Sequence, residues 1–230
     1  MTHRVRPEVV VFDVVETLAC LDPVAARLRE CHQPEELLAR WFTRLVRDGM
    51  ALPAAGSYAG FAEVAASALH AETRHALSEE QIGYVVAGFG ELTPQPDAVP
   101  AISVAVEAGM RVFTLSNGAP AATHGFLDRA GVADLVERVL SIDEVGAWKP
   151  APAPYALAVT AAGVPAERVA LVAVHSWDLH GAHQAGLTTG WCPRLEGQRT
   201  PVFAPADVVA DTLDGVITAL VALRAPGGGG

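Results

Sequence analysis

The sequence predicts an α/β fold, a doubly wound parallel sheet with a block of helices inserted after its first strand. Three observations predict it. Residues 8–13 hold the apolar run Val9–Phe12, which ends on Asp13 and opens into a loop. Residues 22–95 are rich in alanine and leucine and carry no convincing strand. After Pro96 short apolar runs alternate with helical stretches, the pattern of a parallel sheet joined by right-handed crossovers.

Taken in order, the first strand covers residues 8–13. In the helical block, Asp22-Pro23 reads as a helix cap followed by proline at the first helical position. Gln33-Pro34-Glu35-Glu36 repeats that signal before the run starting at Leu37. The segments Tyr58–His70 and Ser78–Phe89 complete a group of four helices. The later strands are Val112–Leu115, Val139–Ser141, Val169–Val174 and Thr188–Trp191. Because one strand precedes the block and the others follow it, the block rises from the carboxyl end of the first strand. It then lies over Asp13 as a lid, positioned to exclude water. The expected division is a core of residues 1–18 and 96–224, a cap of residues 19–95 and a tail of residues 225–230, in which Pro226–Gly230 should be disordered.

With 230 residues, 51% of them hydrophobic, the chain can bury a sizeable core. A net charge of −10 argues against a nucleic-acid partner, which calls for a basic stripe, and makes any anion site a local feature. No apolar stretch approaches the roughly 20 residues that span a bilayer, and the first residues lack the apolar segment of a signal peptide. Cys20, Cys31 and Cys192 follow no metal-binding spacing and read as free thiols of a cytoplasmic protein.

Asp13 at the carboxyl end of a buried strand sits where open α/β sheets bind ligands, and a carboxylate there can act as a nucleophile. A plainer reading is an aspartate closing a turn. Three later segments fit the same site in order: Ser116-Asn117 after Val112–Leu115, Lys149 between Trp148 and Pro150, and Asp178 after His175-Ser176-Trp177. Lys149 is the only lysine in the chain.

Nucleophile, polar loop, lysine and second aspartate in this order resemble the haloacid dehalogenase (HAD) superfamily, and the details resemble its type II L-2-haloacid dehalogenases. The resemblance runs from about Val9 to Leu220 and implies a Rossmann-like core. By it, Asp13 forms a covalent intermediate, and Thr17 closes the loop and supports the Asp13 carboxylate at the substrate. Ser116 and Asn117 bond the substrate carboxylate or the nucleophile. Lys149 keeps Asp13 ionised, Asp178 orients Lys149 and the hydrolytic water, and Tyr155 is the site tyrosine. HAD phosphatases carry an acid two residues after the nucleophile and paired acids at the fourth motif. Here those places hold Val15, Val174 and Trp177, so Asp13 and Asp178 alone are a poor magnesium site.

Two features depart from the dehalogenases. Their fourth-motif asparagine is replaced by His175, expected to position water or to act as a base near neutral pH. Their cap arginine is replaced by Phe42, after Trp41, which is expected to line an apolar pocket. Arg40, Arg44 and Arg47 on the same helix read as a solvated face, and His180 with His183 as an exposed pair.

The expected activity is hydrolysis of a small 2-haloacid through an aspartyl ester, with no cofactor. The expected partner is a small halogenated carboxylic acid, with no nucleic acid and no membrane; a homodimer is left open. The alternatives are a phosphatase, which alone would use Mg²⁺, and a non-catalytic HAD-like binding domain.

Overall fold

The computed structural model describes residues 4–224; the tail expected to be disordered lies outside the described residues. Six parallel strands form one sheet: β1 (Val9–Phe12), β4 (Arg111–Ser116), β5 (Arg138–Ser141), β6 (Val169–Ala173), β7 (Thr188–Trp191) and β8 (Val208–Val209), in the spatial order β5-β4-β1-β6-β7-β8. The chain runs from β1 outward through β4 to β5, then returns to the other side of β1 for β6, β7 and β8. The strand order therefore reverses at β1, which puts the ligand crevice at its carboxyl end.

All four residues of β1 have no exposed surface, because helices cover both faces. Val10 and Phe12 join one apolar cluster with α5 (Ala98–Glu107) and α9 (Leu213–Val221). Val9 and Val11 join the other, with α7 (Pro152–Ala162) and α8 (Ser176–Gln184). An uninterrupted apolar run is what a strand buried on both faces requires, with alternate residues supplying the two cores. The remaining core helix, α6 (Pro120–Ala130), follows β4 and ends on Gly131, whose φ of 70° is the left-handed conformation of a helix stop.

The inserted block contains α1 (Asp22–Glu30), α2 (Leu37–Ala54), α3 (Phe61–Glu72) and α4 (Glu79–Ala87). Its ends are tied by a short antiparallel pair, β2 (Ala19–Cys20) with β3 (Thr93–Pro94). Sequence patterning missed β3 because two residues, one of them proline, carry no strand period. β8 was missed for the same reason. The Asp22-Pro23 signal marks α1 one residue off: Leu21 holds the cap position, and Asp22 and Pro23 are the first two helical residues. Glu36, before α2, makes no side-chain cap either, whereas Ser78 and Gln81 form a reciprocal capping box at α4.

Trp148 fastens the block to the core. Its Nε1 donates to the Ala59 carbonyl at 2.9 Å, and its ring stacks on Phe61 at 5.7 Å. Gly49 of α2 lies against that ring so closely that a Cβ there would meet Trp148 at 2.3 Å. Among the described residues no helix is long and apolar enough to cross a membrane.

Candidate active site

Asp13 follows β1, Ser116 ends β4, and the turn after β6 leads through His175 into Asp178 on α8. Parallel strands end on the same edge, so residues distant in sequence meet there. Lys149 comes from the loop between β5 and α7. Its side chain has no exposed surface, and Nζ donates to Asp13 Oδ1 at 2.7 Å, to Asp178 Oδ2 at 2.7 Å and to the Leu115 carbonyl at 3.0 Å. That uses all three ammonium protons.

The second oxygen of Asp13 accepts from Thr17 Oγ1 at 2.7 Å, and Thr17 in turn accepts the Val174 N–H at 3.1 Å. Thr17 is fully buried behind Asp13, so it touches the Asp13 carboxylate and leaves no surface for a substrate. Tyr155 is likewise fully buried: its hydroxyl donates to Asp178 Oδ1 at 2.6 Å. Asp178 therefore has both oxygens engaged and no exposed surface. It holds Lys149, while a direct contact with hydrolytic water is closed off. Ser116 Oγ accepts the Gly118 N–H at 2.9 Å and shapes its own loop, whereas Asn117 Oδ1 accepts the Lys149 backbone N–H at 3.1 Å and ties that loop to the one carrying the lysine.

Burial acts to raise the Asp13 carboxyl, but the Lys149 ammonium and the His175 ring outweigh it and hold Asp13 well below the usual carboxylate range. Asp178 moves the other way: burial, reinforced by the Asp13 charge, raises it despite Lys149. Lys149 itself, which burial would lower, is raised by the two aspartates and stays charged. The site thus holds one firmly ionised carboxylate facing the crevice and a second one behind the lysine.

His175 Nε2 lies 2.9 Å from Glu16 Oε2. Its Nδ1 lies 3.3 Å from Asp13 Oδ2 but lacks the alignment of a hydrogen bond. Burial would lower this histidine, yet the two carboxylates raise it to about 10. The expected role as a base near neutral pH is therefore corrected for the resting site: with Asp13 ionised, the ring is a cation.

Glu16 is the residue that sequence reading passed over. It occupies the loop between Asp13 and Thr17 with φ of 66°, a left-handed conformation that costs a non-glycine residue about 1–3 kcal/mol. Its only sequence signal was an acidic residue beside the proposed nucleophile.

At Asp13 the crevice narrows to a void of about 20 Å³, lined by Val15, Phe42, Val46, Phe61, Ser116, Asn117, His175 and Trp177 besides Asp13 itself. That is room for about one water molecule. Phe42, Val46, His175 and Trp177 also border a chamber of about 1170 Å³ between α1, α2 and the core, whose walls include Leu28, Leu38 and Met50. Phe42 thus borders both the void and the chamber. Arg40 and Arg44 pair with Glu72 on α3, and Arg47 pairs with Asp48 at 2.7 Å, leaving the cap without an arginine at Asp13. His180 and His183 are half-buried and not exposed as expected; His180 Nδ1 accepts the Ala204 N–H at 3.1 Å.

The donor set does not fit a magnesium ion. Asp13 and Asp178 both lie on the Lys149 ammonium, and Val15 and Val174 stand where further acids would be needed. Among the described residues no group of three or more histidine, cysteine or acidic side chains is arranged to hold a metal ion.

The family model for haloacid dehalogenase-like hydrolases matches residues 7–186. The chain belongs to that family. This haloacid dehalogenase-like hydrolase is 30% identical over 192 residues to an (S)-2-haloacid dehalogenase of Xanthobacter autotrophicus, covering 81% of this chain and 75% of that one. It is 28% identical over 202 residues to (S)-2-haloacid dehalogenase 1 of Pseudomonas sp. strain CBS-3, covering 85% and 88%. Its fold matches the crystal structure of an L-2-haloacid dehalogenase with a TM-score of 0.87 at 30% identity, over 94% of this chain and 99% of that one.

Proposed function

We propose that this hydrolase cleaves the carbon–halogen bond of a small 2-halocarboxylic acid. The observation that carries the reading is the Asp13–Lys149–Asp178 arrangement. A single ionised carboxylate faces the crevice, its counter-charge is a buried lysine, and no second acid stands at Val15 to protonate a leaving group. Halide departs without a proton, so this set suffices for displacement at carbon and not for phosphate-ester cleavage. The dehalogenase relatives at 28% and 30% identity support the same chemistry.

In the first half-reaction an Asp13 oxygen attacks C2, the carbon–halogen bond breaks, and halide leaves with inversion at carbon. Lys149 keeps Asp13 ionised and Thr17 fixes its other oxygen. Ser116 and Asn117 border the reacting atoms and offer polar groups to the substrate carboxylate. In the second half-reaction water attacks the Asp13 carbonyl carbon, freeing a 2-hydroxy acid. Residues 19–95 serve as the cap. A haloacid is larger than the void at Asp13, so it enters as Phe42 and Val46 give way toward the chamber, and α2 is the element that admits it.

The test is halide release from chloro-, bromo- and fluoroacetate and from 2-chloropropionate, with and without EDTA. Activity should survive the chelator and vanish in Asp13→Asn. One turnover in ¹⁸O water should place label in Asp13. Phosphate-ester hydrolysis that requires Mg²⁺, with no halide release, would replace this reading by a phosphatase.

A further inference from the structure

We propose that the chamber beside Asp13 is the outer half of the substrate site, and that the preferred 2-haloacid carries an unbranched apolar chain on C2 that lies in it. The proposal rests on the dehalogenase reading above and names the class of acid. The first observation is on α2. Leu37, Trp41, Leu45 and Gly49 recur every four residues and are buried; Trp41 Nε1 donates to the Ala65 carbonyl of α3 at 2.8 Å, and Gly49 lies on Trp148. That stripe seats the helix. Leu38, Phe42, Val46 and Met50 recur at the same spacing one position on, are only half-buried, and line the chamber. A helix seated on its apolar stripe ordinarily turns polar side chains outward. Here a second stripe of bulky apolar residues faces a cavity. The facing wall is apolar too. α1 contributes Leu28, the start of α8 contributes Trp177, and the loop between β7 and β8 contributes Phe203 and Leu195, the latter with 50% of its surface exposed.

The second observation is continuity. Phe42, Val46, His175 and Trp177 line both the void at Asp13 and the chamber, so a chain on C2 passes from one to the other. Ser116 and Asn117, which offer polar groups to the substrate carboxylate, line the void and not the chamber. The carboxylate therefore stays at the void while the chain runs outward. The third observation is charge. At the inner end of the chamber the His175 cation is flanked by Glu16 and Asp13. The other charged groups of its lining, Asp22, Arg29, Glu35 and Arg47, are exposed and stand at the rim. Among the described residues no other cation lines the interior, so the chamber has nothing to offer a second carboxylate and suits an uncharged chain. Its volume of about 1170 Å³ lies just above the range of about 300–1,000 Å³ usual for ligand pockets, and a two- or three-carbon acid leaves most of it unfilled. A smaller cavity of about 570 Å³, between α3, α4 and α6, meets the void at Val15, Phe61 and Ser116, on the side of the substrate carboxylate. It is the rival place for the chain.

The experiment measures bromide release by ion chromatography from 2-bromopropionate, 2-bromobutyrate, 2-bromohexanoate and 2-bromooctanoate, so that the leaving group is constant. Wild type is compared with Met50→Trp and Leu38→Trp, which fill the chamber away from Asp13, and with Ala122→Trp, which fills the rival cavity; circular dichroism establishes folding. Each methylene taken from water into an apolar site is worth up to about fourfold in binding. In wild type kcat/KM should therefore rise about two- to fourfold per methylene, or about 10- to 60-fold from 2-bromopropionate to 2-bromohexanoate, through a falling KM. Octanoate should inhibit competitively and more tightly than propionate. Either chamber tryptophan should remove most of the rise, and Ala122→Trp should keep it. A flat or falling series with bromide still released from 2-bromopropionate, or a rise that survives both chamber tryptophans, would overturn the role of the chamber alone. A rise lost only in Ala122→Trp would do the same and move the chain to the rival cavity. A flat series in a dimer that Met50→Arg dissociates would assign the second stripe of α2 to a second copy of the chain. No bromide from any of the four acids would overturn the dehalogenase reading and this inference with it.

Discussion

Replacing Lys149 by methionine tests the charge arrangement on which the site is built. The ammonium is fully buried and bridges two carboxylates at 2.7 Å each, so its removal leaves Asp13 with His175 alone as a cation and Asp178 with none. Breaking a buried ion pair by deleting one partner costs about 3–5 kcal/mol. In a chain of 230 residues that corresponds to a fall in Tm of about 6–20 °C. The sign with pH follows from the two aspartates. Asp13 is held low by Lys149, so its share of the stability is present above the unfolded value of 3.8 and is lost only as pH falls below it. Asp178 is already raised, and without Lys149 it rises further. The variant should therefore be most destabilised near and above neutral pH, and should recover part of the loss toward pH 5 as Asp178 binds a proton. Urea unfolding of wild type and variant at pH 5 and pH 7.5 measures this, with halide release alongside. A difference below about 1 kcal/mol at both pH values, with activity within tenfold of wild type, would show that Lys149 is not the counter-ion of the nucleophile.

Three further outcomes are expected. His175, raised from 6.5 to about 10, contributes stability in full below pH 6.5 and loses it as pH rises toward 10; a charge-assisted hydrogen bond of about 1.5–3 kcal/mol makes Glu16→Gln lower the midpoint by about 1–2 pH units, read from the imidazole resonances by NMR. Phe42→Arg places a guanidinium at the mouth of the void and should lower the Michaelis constant for 2-chloropropionate; unchanged kinetics would mean that position 42 does not meet the substrate. Gly49→Ala drives a methyl into Trp148 and should destabilise the chain by about 1–3 kcal/mol in denaturant unfolding, with a change in tryptophan emission as the ring shifts; no effect would mean that α2 is not seated on Trp148.

The sequence by itself determined the sheet, the insertion and the place of Asp13 at the sheet's carboxyl edge. These are local facts of chain chemistry: a short, β-branched apolar run fits a strand buried on both faces, and an aspartate directly after it emerges at the carboxyl edge. The short strands β2, β3 and β8 escaped because two residues hold no period; β2 and β3 exist by pairing with each other and β8 by pairing with β7. Only the tertiary structure decided which charges meet. Arg40 and Arg44 face Glu72 because α2 packs on α3, a partner 28 or more positions away that helical spacing cannot reveal. Thr17 and Tyr155 are at the site but behind it, since whether a side chain touches a carboxylate or a substrate depends on what covers it. The pairing of Glu16 with His175 spans 159 positions and joins the turn after β1 to the turn after β6. Those strands are neighbours in space, and the closeness of two carboxylates in a buried pocket turns a histidine that would titrate near neutrality into a cation.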